Sequence, residues 1–242
     1  MTQVDIQQKI SEIVSSNLKA ADIFEKYNID FCCGGHITID EACREQGLNR
    51  DKIIAELEQS LNGDSDTQYI QSLNSSELAD YIEQKHHAYV TENIPVLKQY
   101  LDKVCSVHGD NHPEVFEIRD LFNESAGNLT QHMKKEELIL FPFIRKMQQA
   151  KDAGTKLEQP HFGDVSQPIA MMREEHANEG ARFEEIDSLS ESYNAPPDAC
   201  NTFRVMYHKL HEFEKDLHRH IHLENNILFP DAEQMQKKLF QE

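Results

Sequence analysis

Two distant segments of the chain carry the same motif of histidine, glutamate and an apolar run. The first copy begins at His132 and the second at His220, and both read His-x3-Glu-x2-Ile-Leu-Phe-Pro. Residues four apart on an α-helix lie about 40° apart around its axis. His132 and Glu136 therefore project together from one helix, and His220 and Glu224 from another. This repeat predicts long helices that carry paired polar side chains.

Further histidines follow the same interval. His87, His132, His176 and His220 succeed one another at intervals of 45, 44 and 44 residues. One inward histidine per helix at a nearly constant spacing indicates two related helical hairpins, which is typical of an up-down-up-down four-helix bundle. The predicted helices span about residues 76–107, 112–149, 165–191 and 198–238.

The composition agrees with an all-α fold. The chain has only 9 Gly and 8 Pro, which suits long helices, and its 38% hydrophobic residues are enough for a core. Residues 1–60 are predicted to form a small helical domain with a Cys-Cys-Gly-Gly loop. Residues 61–76 are polar and turn-rich, which predicts a linker, and residues 77–242 form the bundle.

Charge and cysteine content exclude several function classes. Lys and Arg total 24 against 43 Asp and Glu, so the net charge of −19 repels nucleic acids and anionic membranes. No apolar run approaches the length of a membrane span, and the N-terminus lacks the pattern of a signal peptide. The five cysteines follow no secreted disulfide spacing, which predicts a cytoplasmic protein.

Apolar neighbours predict which histidines face the core. The residues expected to share a helix face with His132 are Leu129, Ile139 and Phe143, and those with His220 are Phe213, Leu217 and Ile227. His218 and His222 fall on the opposite, charged side of their helix. Two inward carboxylates on such faces are costly unless something compensates their charge.

A pair of metal ions would provide that compensation. A single His-x3-Glu pair more often supports its helix locally on the surface, but two copies on apolar faces favour a metal site. The predicted ligands are His87, His132, His176 and His220, with Glu136 and Glu224 as bridges. Imidazole and carboxylate suit iron or manganese, whereas a structural zinc site needs thiolates. The ligand is assigned to His87, and its neighbour His86 is either an outer neighbour of the site or exposed.

Vicinal Cys32 and Cys33 form a second candidate site, because the following glycines let the backbone present both thiols at one surface. Thiolates there could receive iron, contact a cluster or exchange disulfides, and the alternative is a buried turn of small residues. Cys43, Cys105 and Cys200 are interpreted as structural. The histidines interpreted as surface or loop residues are His108, His112, His161, His208 and His211.

Residues 77–235 resemble hemerythrin-like domains, and residues 5–238 resemble the di-iron proteins of iron-sulfur cluster repair, the repair-of-iron-centres family. The segments that carry the resemblance are Asp30-Phe31-Cys32-Cys33-Gly34-Gly35, His86-His87 before Pro95, both repeat copies with Glu137 and Asn225-Asn226, and Glu175-His176. Oxygen-carrying hemerythrins have a further histidine at the position of Gly180. This departure argues against simple oxygen carriage and fits the repair family.

The resemblance implies a centre of two non-haem iron ions and the repair of iron-sulfur clusters damaged by nitric oxide or peroxide. Iron-sulfur proteins would be the clients, nitric oxide or dioxygen the small ligands, and Cys32 and Cys33 the family's N-terminal thiol motif. Two alternatives stay open: a di-iron nitric oxide reductase, and a module that senses diatomic gases. An exposed Cys32-Cys33 loop is compatible with client contacts and with a homodimer.

Overall fold

Helices account for most of the computed structural model, which describes residues 4–60 and 65–240. Within these residues the only extended pairing is an isolated bridge between Lys9 and Thr38, so the predicted all-α class is confirmed. Contacts divide the chain into two compact units. The first comprises residues 1–79, 144–159 and 218–242, and the second comprises residues 80–143 and 160–217.

Short helices make up the N-terminal part of the first unit. They are α1 (Ile10–Ser16), α2 (Ala20–Lys26), α3 (Ile39–Gln46), α4 (Arg50–Ser60) and α5 (Ser65–Ser72). A capping box fixes the start of α3, where the Thr38 hydroxyl accepts from the Glu41 N–H and the Glu41 carboxylate accepts from the Thr38 N–H. Gly47 ends α3 in the left-handed conformation, at φ 67°.

The core of this N-terminal part is apolar, with Phe24, Ile39, Ile53 and Leu57 fully buried between α2, α3 and α4. Helix α5 lies within the stretch predicted as a linker, and residues 61–64 of that stretch lie outside the described residues. The division into domains at residues 61–76 therefore stays a prediction.

The remaining helices are longer. They are α6 (Ser75–Ile82), α7 (Ala88–His108), α8 (Glu114–Lys135), α9 (Phe141–Ala153), α10 (Ser166–Leu189), α11 (Asn201–Leu223) and α12 (Phe229–Phe240). No helix in the described part of the chain is long and apolar enough to cross a membrane.

Four helices pack together within the second unit. Helix α8 contacts both α7 and α10. The Phe213 ring on α11 lies 6.2 Å from Tyr89 on α7, 5.4 Å from Phe122 on α8 and 5.8 Å from Phe183 on α10, measured between centroids. Aromatic contacts at these distances stabilise a core beyond the burial of apolar area. The second unit thus contains a four-helix bundle centred on Phe213.

Three π-helical turns interrupt the long helices. Two of them lie in the two copies of the repeat, and the third contains His87. They are π1 (Glu83–His87), π2 (Glu136–Leu140) and π3 (Glu224–Leu228). Pro142 and Pro230 follow π2 and π3 closely. Proline has no N–H for the usual bond to the carbonyl four residues earlier, and a π turn accommodates such a break by changing the hydrogen-bond register.

The π2 turn also explains one wrong prediction. Ile139 was expected on the same inward face as His132, but its side chain is 50% exposed. Ile139 lies within the π turn, whose wider winding rotates it away from the face that an uninterrupted α-helix would give it. Leu129 before the turn and Phe143 after it are buried as predicted.

Candidate metal centre

Glu136 lies between two of the predicted histidine ligands in the second unit. Its Oε2 atom is 3.3 Å from His87 Nε2 and 3.3 Å from His132 Nε2. Glu136 has no exposed surface, and both imidazoles are at most 3% exposed. One carboxylate oxygen that faces two imidazole nitrogens has the arrangement that a bridging ligand needs.

His176 joins this group from α10. Its Nε2 atom lies 3.1 Å from His132 Nε2, so the two rings aim their distal nitrogens at the same place. His132, Glu136 and His176 each offer a ligand atom within 4.8 Å of the others. The second unit therefore brings together His87, His132, Glu136 and His176.

Two of these histidines also form a hydrogen bond through Nδ1 with a carboxylate outside the group. His87 Nδ1 donates to Glu137 at 2.8 Å, and His132 Nδ1 donates to Glu175 at 2.9 Å. Such bonds fix the orientation of a metal-binding imidazole and increase its basicity. Hydrogen bonds from His132 and Lys135 lower the pKa of Glu175 to about 2, so this carboxylate is ionised at neutral pH.

The first unit contains the other predicted pair. His220 Nε2 lies 3.0 Å from Glu224 Oε1, one helical turn apart as the motif predicts. The Glu224 side chain has no exposed surface, and His220 is 1% exposed. Glu224 is the first residue of π3, as Glu136 is the first residue of π2, so the two repeat copies share their local structure as well as their sequence.

The chemistry of these donors fits iron. Buried carboxylates are costly unless their charge is compensated, and both glutamates lie beside imidazole nitrogens. Neutral imidazole and carboxylate oxygen suit iron, manganese or a similar ion, and no thiolate belongs to either group.

Two further histidines, His86 and His222, lie near the predicted ligands. His86 is buried, and its Nδ1 atom lies 3.0 Å from Asp216 Oδ1, so it is an outer neighbour of His87 rather than an exposed residue. His222 was predicted on the charged side of α11, but it is fully buried and donates to the Phe31 carbonyl at 3.3 Å. Burial lowers the pKa of His222 to about 4. Periodicity missed this position because Phe31, which is distant in sequence, contacts that side of the helix.

The structure gives the two vicinal cysteines different environments. Cys32 is buried, whereas Cys33 is partly exposed, and their sulfur atoms lie 3.9 Å apart. The hydrogen bond with Cys33 and burial raise the pKa of Cys32 well above its usual value. The two sulfur atoms are not joined in a disulfide.

A further thiol site was missed by the sequence analysis. Cys200 was interpreted as structural, but it is exposed and its sulfur lies 3.1 Å from His108 Nε2. The Phe203 backbone N–H and the His108 imidazole lower the pKa of Cys200 to about 7. The residues are distant in sequence, so only the position of Cys200 just before α11 gave a signal, since helix N-termini favour thiolates.

We expect Cys200 to be the cysteine that iodoacetamide alkylates fastest at pH 7. The thiolate is the reactive form, so the rate should rise with pH through a midpoint near 7. His108→Ala should move this midpoint upward, because it removes one of the interactions that favour the thiolate. Peptide mass spectrometry of the alkylated protein would measure the rate at each cysteine. A midpoint for Cys200 that is unchanged in His108→Ala would contradict this prediction.

Two family models match separate parts of the chain. Residues 6–61 match a family described as a domain of unknown function, DUF542. Residues 78–232 match the family described as the hemerythrin HHE cation binding domain. The first match covers the Cys32-Cys33 segment, and the second covers every predicted histidine and glutamate ligand.

Three relatives that match over most of their length are each described as an iron-sulfur cluster repair protein, one of them as a probable one. The iron-sulfur cluster repair protein ScdA of Staphylococcus haemolyticus is 33% identical over 91% of this chain and 95% of its own. A probable iron-sulfur cluster repair protein of Haemophilus influenzae is 35% identical over 93% and 96%. The iron-sulfur cluster repair protein YtfE of Pectobacterium carotovorum subsp. carotovorum is 34% identical over 93% and 96%.

Proposed function

Because this chain belongs to the iron-sulfur cluster repair proteins and contains a hemerythrin HHE cation-binding domain, we propose that it repairs damaged clusters through a labile centre of two non-haem irons. The observation that carries this proposal is the buried convergence of two histidine nitrogens on Glu136, together with the buried contact between His220 and Glu224 in the second copy of the repeat. Cluster repair requires iron-sulfur proteins as clients.

Six side chains are the proposed ligands. They are His87, His132, Glu136, His176, His220 and Glu224. Glu136 and Glu224 occupy the same position in the two copies of the repeat, and each lies beside an imidazole, which supports the same bridging role for both carboxylates. Each iron would have two imidazoles and the two shared carboxylates as ligands, with coordination positions left for small molecules.

Residues around the ligands determine how firmly they hold iron. Glu137 and Glu175 orient His87 and His132, and Lys135 holds Glu175 in turn. When bound, the irons supply the Lewis-acid and redox chemistry of the site, with nitric oxide or dioxygen as the proposed small ligands. Because imidazole and carboxylate bind Fe(II) less tightly than thiolates bind a cluster iron, the same centre can give up iron for repair.

The remaining assignments are also proposals. The protein acts in the cytoplasm as part of the response to nitrosative or oxidative stress. Residues 1–60 form a thiol-bearing domain, residues 61–76 a linker and residues 77–242 the bundle. The Cys32-Cys33 loop contacts clients or a second copy of the chain. The nitric oxide reductase and gas-sensor alternatives are not favoured, because the relatives are described as cluster repair proteins.

A repair assay with a damaged client tests this function. A [4Fe-4S] protein is treated with nitric oxide, separated from excess reagent and incubated with the iron-loaded chain and a reductant. We expect the visible absorbance and the activity of the client to return. The Glu136→Leu, Glu224→Leu double variant, supplied with the same total amount of ferrous iron, is the control. Equal recovery with that control, or with ferrous iron alone, would contradict a role for the bound iron.

A further inference from the structure

The loop that carries Cys32 and Cys33 is closed by hydrogen bonds between the Asp30 side chain and the loop backbone. The Asp30 carboxylate accepts hydrogen bonds from the N–H groups of Cys32, Cys33 and Gly34 at 2.8, 3.0 and 2.7 Å. A Cβ atom at Gly35 would lie 2.4 Å from the Phe31 carbonyl oxygen, so only glycine allows the backbone to close here. The thiols thus have defined positions instead of moving with a flexible loop.

This loop is attached to the end of α11 and to the π3 turn, which begins at Glu224. The Asn226 side chain donates to the Cys32 carbonyl at 3.1 Å, and His222 donates to the Phe31 carbonyl at 3.3 Å. The Phe31 ring also packs against His222, with ring centroids 5.8 Å apart. The hydrogen-bonding residues lie two positions before and two positions after Glu224, so the loop bonds on both sides of the proposed bridging ligand.

The accessible thiol lies against the residue next to that ligand. Asn225 Nδ2 is 3.9 Å from Cys33 Sγ, and Cys33 is partly exposed, whereas Cys32 is 5% exposed. Cys33 Sγ also lies 3.9 Å from the buried Cys32 sulfur. A group added to Cys33 Sγ therefore attaches within 4 Å of Asn225, the residue next to the proposed bridging ligand.

We propose that Cys33 is a regulatory thiol of the iron centre, through which a covalent group or a thiophilic metal ion loosens the π3 turn and promotes the release of iron. Asn226 is the positioning residue that transmits the change, because it joins the loop backbone to the turn that starts at Glu224. This inference rests on the proposed function, since it takes Glu224 to be an iron ligand.

Coupling between two binding sites is reciprocal, so the inference has two linked consequences. If modification of Cys33 weakens iron binding by some factor, bound iron must protect the loop from modification by the same factor at equilibrium. The net contribution of one or two hydrogen bonds corresponds to a factor of about three to ten. We expect effects of this size on both iron release and thiol reactivity.

The test uses the full chain with Cys200→Ser, so that the most reactive thiol does not obscure Cys33. Iodoacetamide is the probe, and its sulfur-alkylation step releases iodide without any change in oxidation state. Iron-loaded protein with alkylated Cys33 should transfer iron to a ferrous chelator about three to ten times faster than untreated protein. Cys33→Ser protein treated in the same way should show no acceleration.

Asn226→Ala tests the hydrogen bond between the Cys32-Cys33 loop and the π3 turn in iron-free protein. In metal-free protein this variant should raise the alkylation rate of Cys33 about threefold or more, because the loop loses its bond to π3. Asn123→Ala, which removes an exposed amide on α8, is the matched control and should leave the rate unchanged.

The outcomes separate this inference from the proposed function. Equal Cys33 reactivity in Asn226→Ala and the parent protein overturns the connection, whatever the iron content. Iron release that alkylation of Cys33 does not accelerate, from protein that does hold iron, overturns the regulatory role while leaving the iron centre intact. Protein that binds no iron refutes the proposed function, and the inference with it, even if the metal-free arm shows that Asn226 restrains the loop.

Discussion

Replacing Glu136 and Glu224 together by leucine is expected to remove the bound iron and abolish cluster repair. Both carboxylates are fully buried, and each lies within 3.3 Å of an imidazole nitrogen. Without them the proposed centre keeps only neutral imidazole ligands, so iron should fall from about two per chain to near none. Elemental analysis and the repair assay on the damaged client would measure both effects.

The same double variant should remain folded. Replacing buried charged groups by apolar ones of similar size is often neutral or stabilising by about 1–4 kcal/mol, so the iron-free variant should unfold at the same temperature as iron-free parent protein or higher. The control is Glu117→Leu with Glu185→Leu, which changes two exposed carboxylates. Full repair activity by the iron-free double variant would refute a repair mechanism that depends on the centre.

Glu175→Gln is expected to weaken iron binding about 10- to 100-fold while leaving the ligands themselves in place. The Glu175 carboxylate accepts from His132 and Lys135, and its pKa of about 2 shows how strongly these donors favour its ionised form. A neutral amide in its place would orient the His132 ring less firmly and make it a weaker ligand. Competition with a chelator of known affinity would measure the change.

Glu174→Gln is the matched control for this variant. It makes the same substitution one residue earlier on α10, where the side chain is exposed. Iron affinity should be unchanged in Glu174→Gln. An affinity for iron that is equal in the two variants would mean that the carboxylate beside His132 does not contribute to the site.

The repeat predicted the pairing of histidine with glutamate along each helix, for a physical reason. The i, i+4 relation of His220 and Glu224 depends only on helix geometry, and the apolar faces around Phe213 and Leu217 show which side of α11 is inward. Such local information is present in the sequence itself. The bundle helices and the burial of both glutamates followed from it.

Features that depend on contacts between distant segments could not be predicted in this way. The exposure of Ile139 follows from a π turn, which changes helical periodicity without changing composition. The burial of His222 follows from its contact with the Phe31 carbonyl, 191 positions away in sequence. The pairing of Cys200 with His108 likewise joins the end of one helix to the start of another.

Metal content is the measurement that tests the central claim most directly. Protein purified from iron-supplemented cells is compared with His132→Ala, His176→Ala and His220→Ala by elemental analysis. About two irons per chain, falling in each variant, is the expected result, because each histidine is proposed to be a ligand. Zinc or no metal in the parent protein, or an iron content that none of the three substitutions changes, would contradict the di-iron centre.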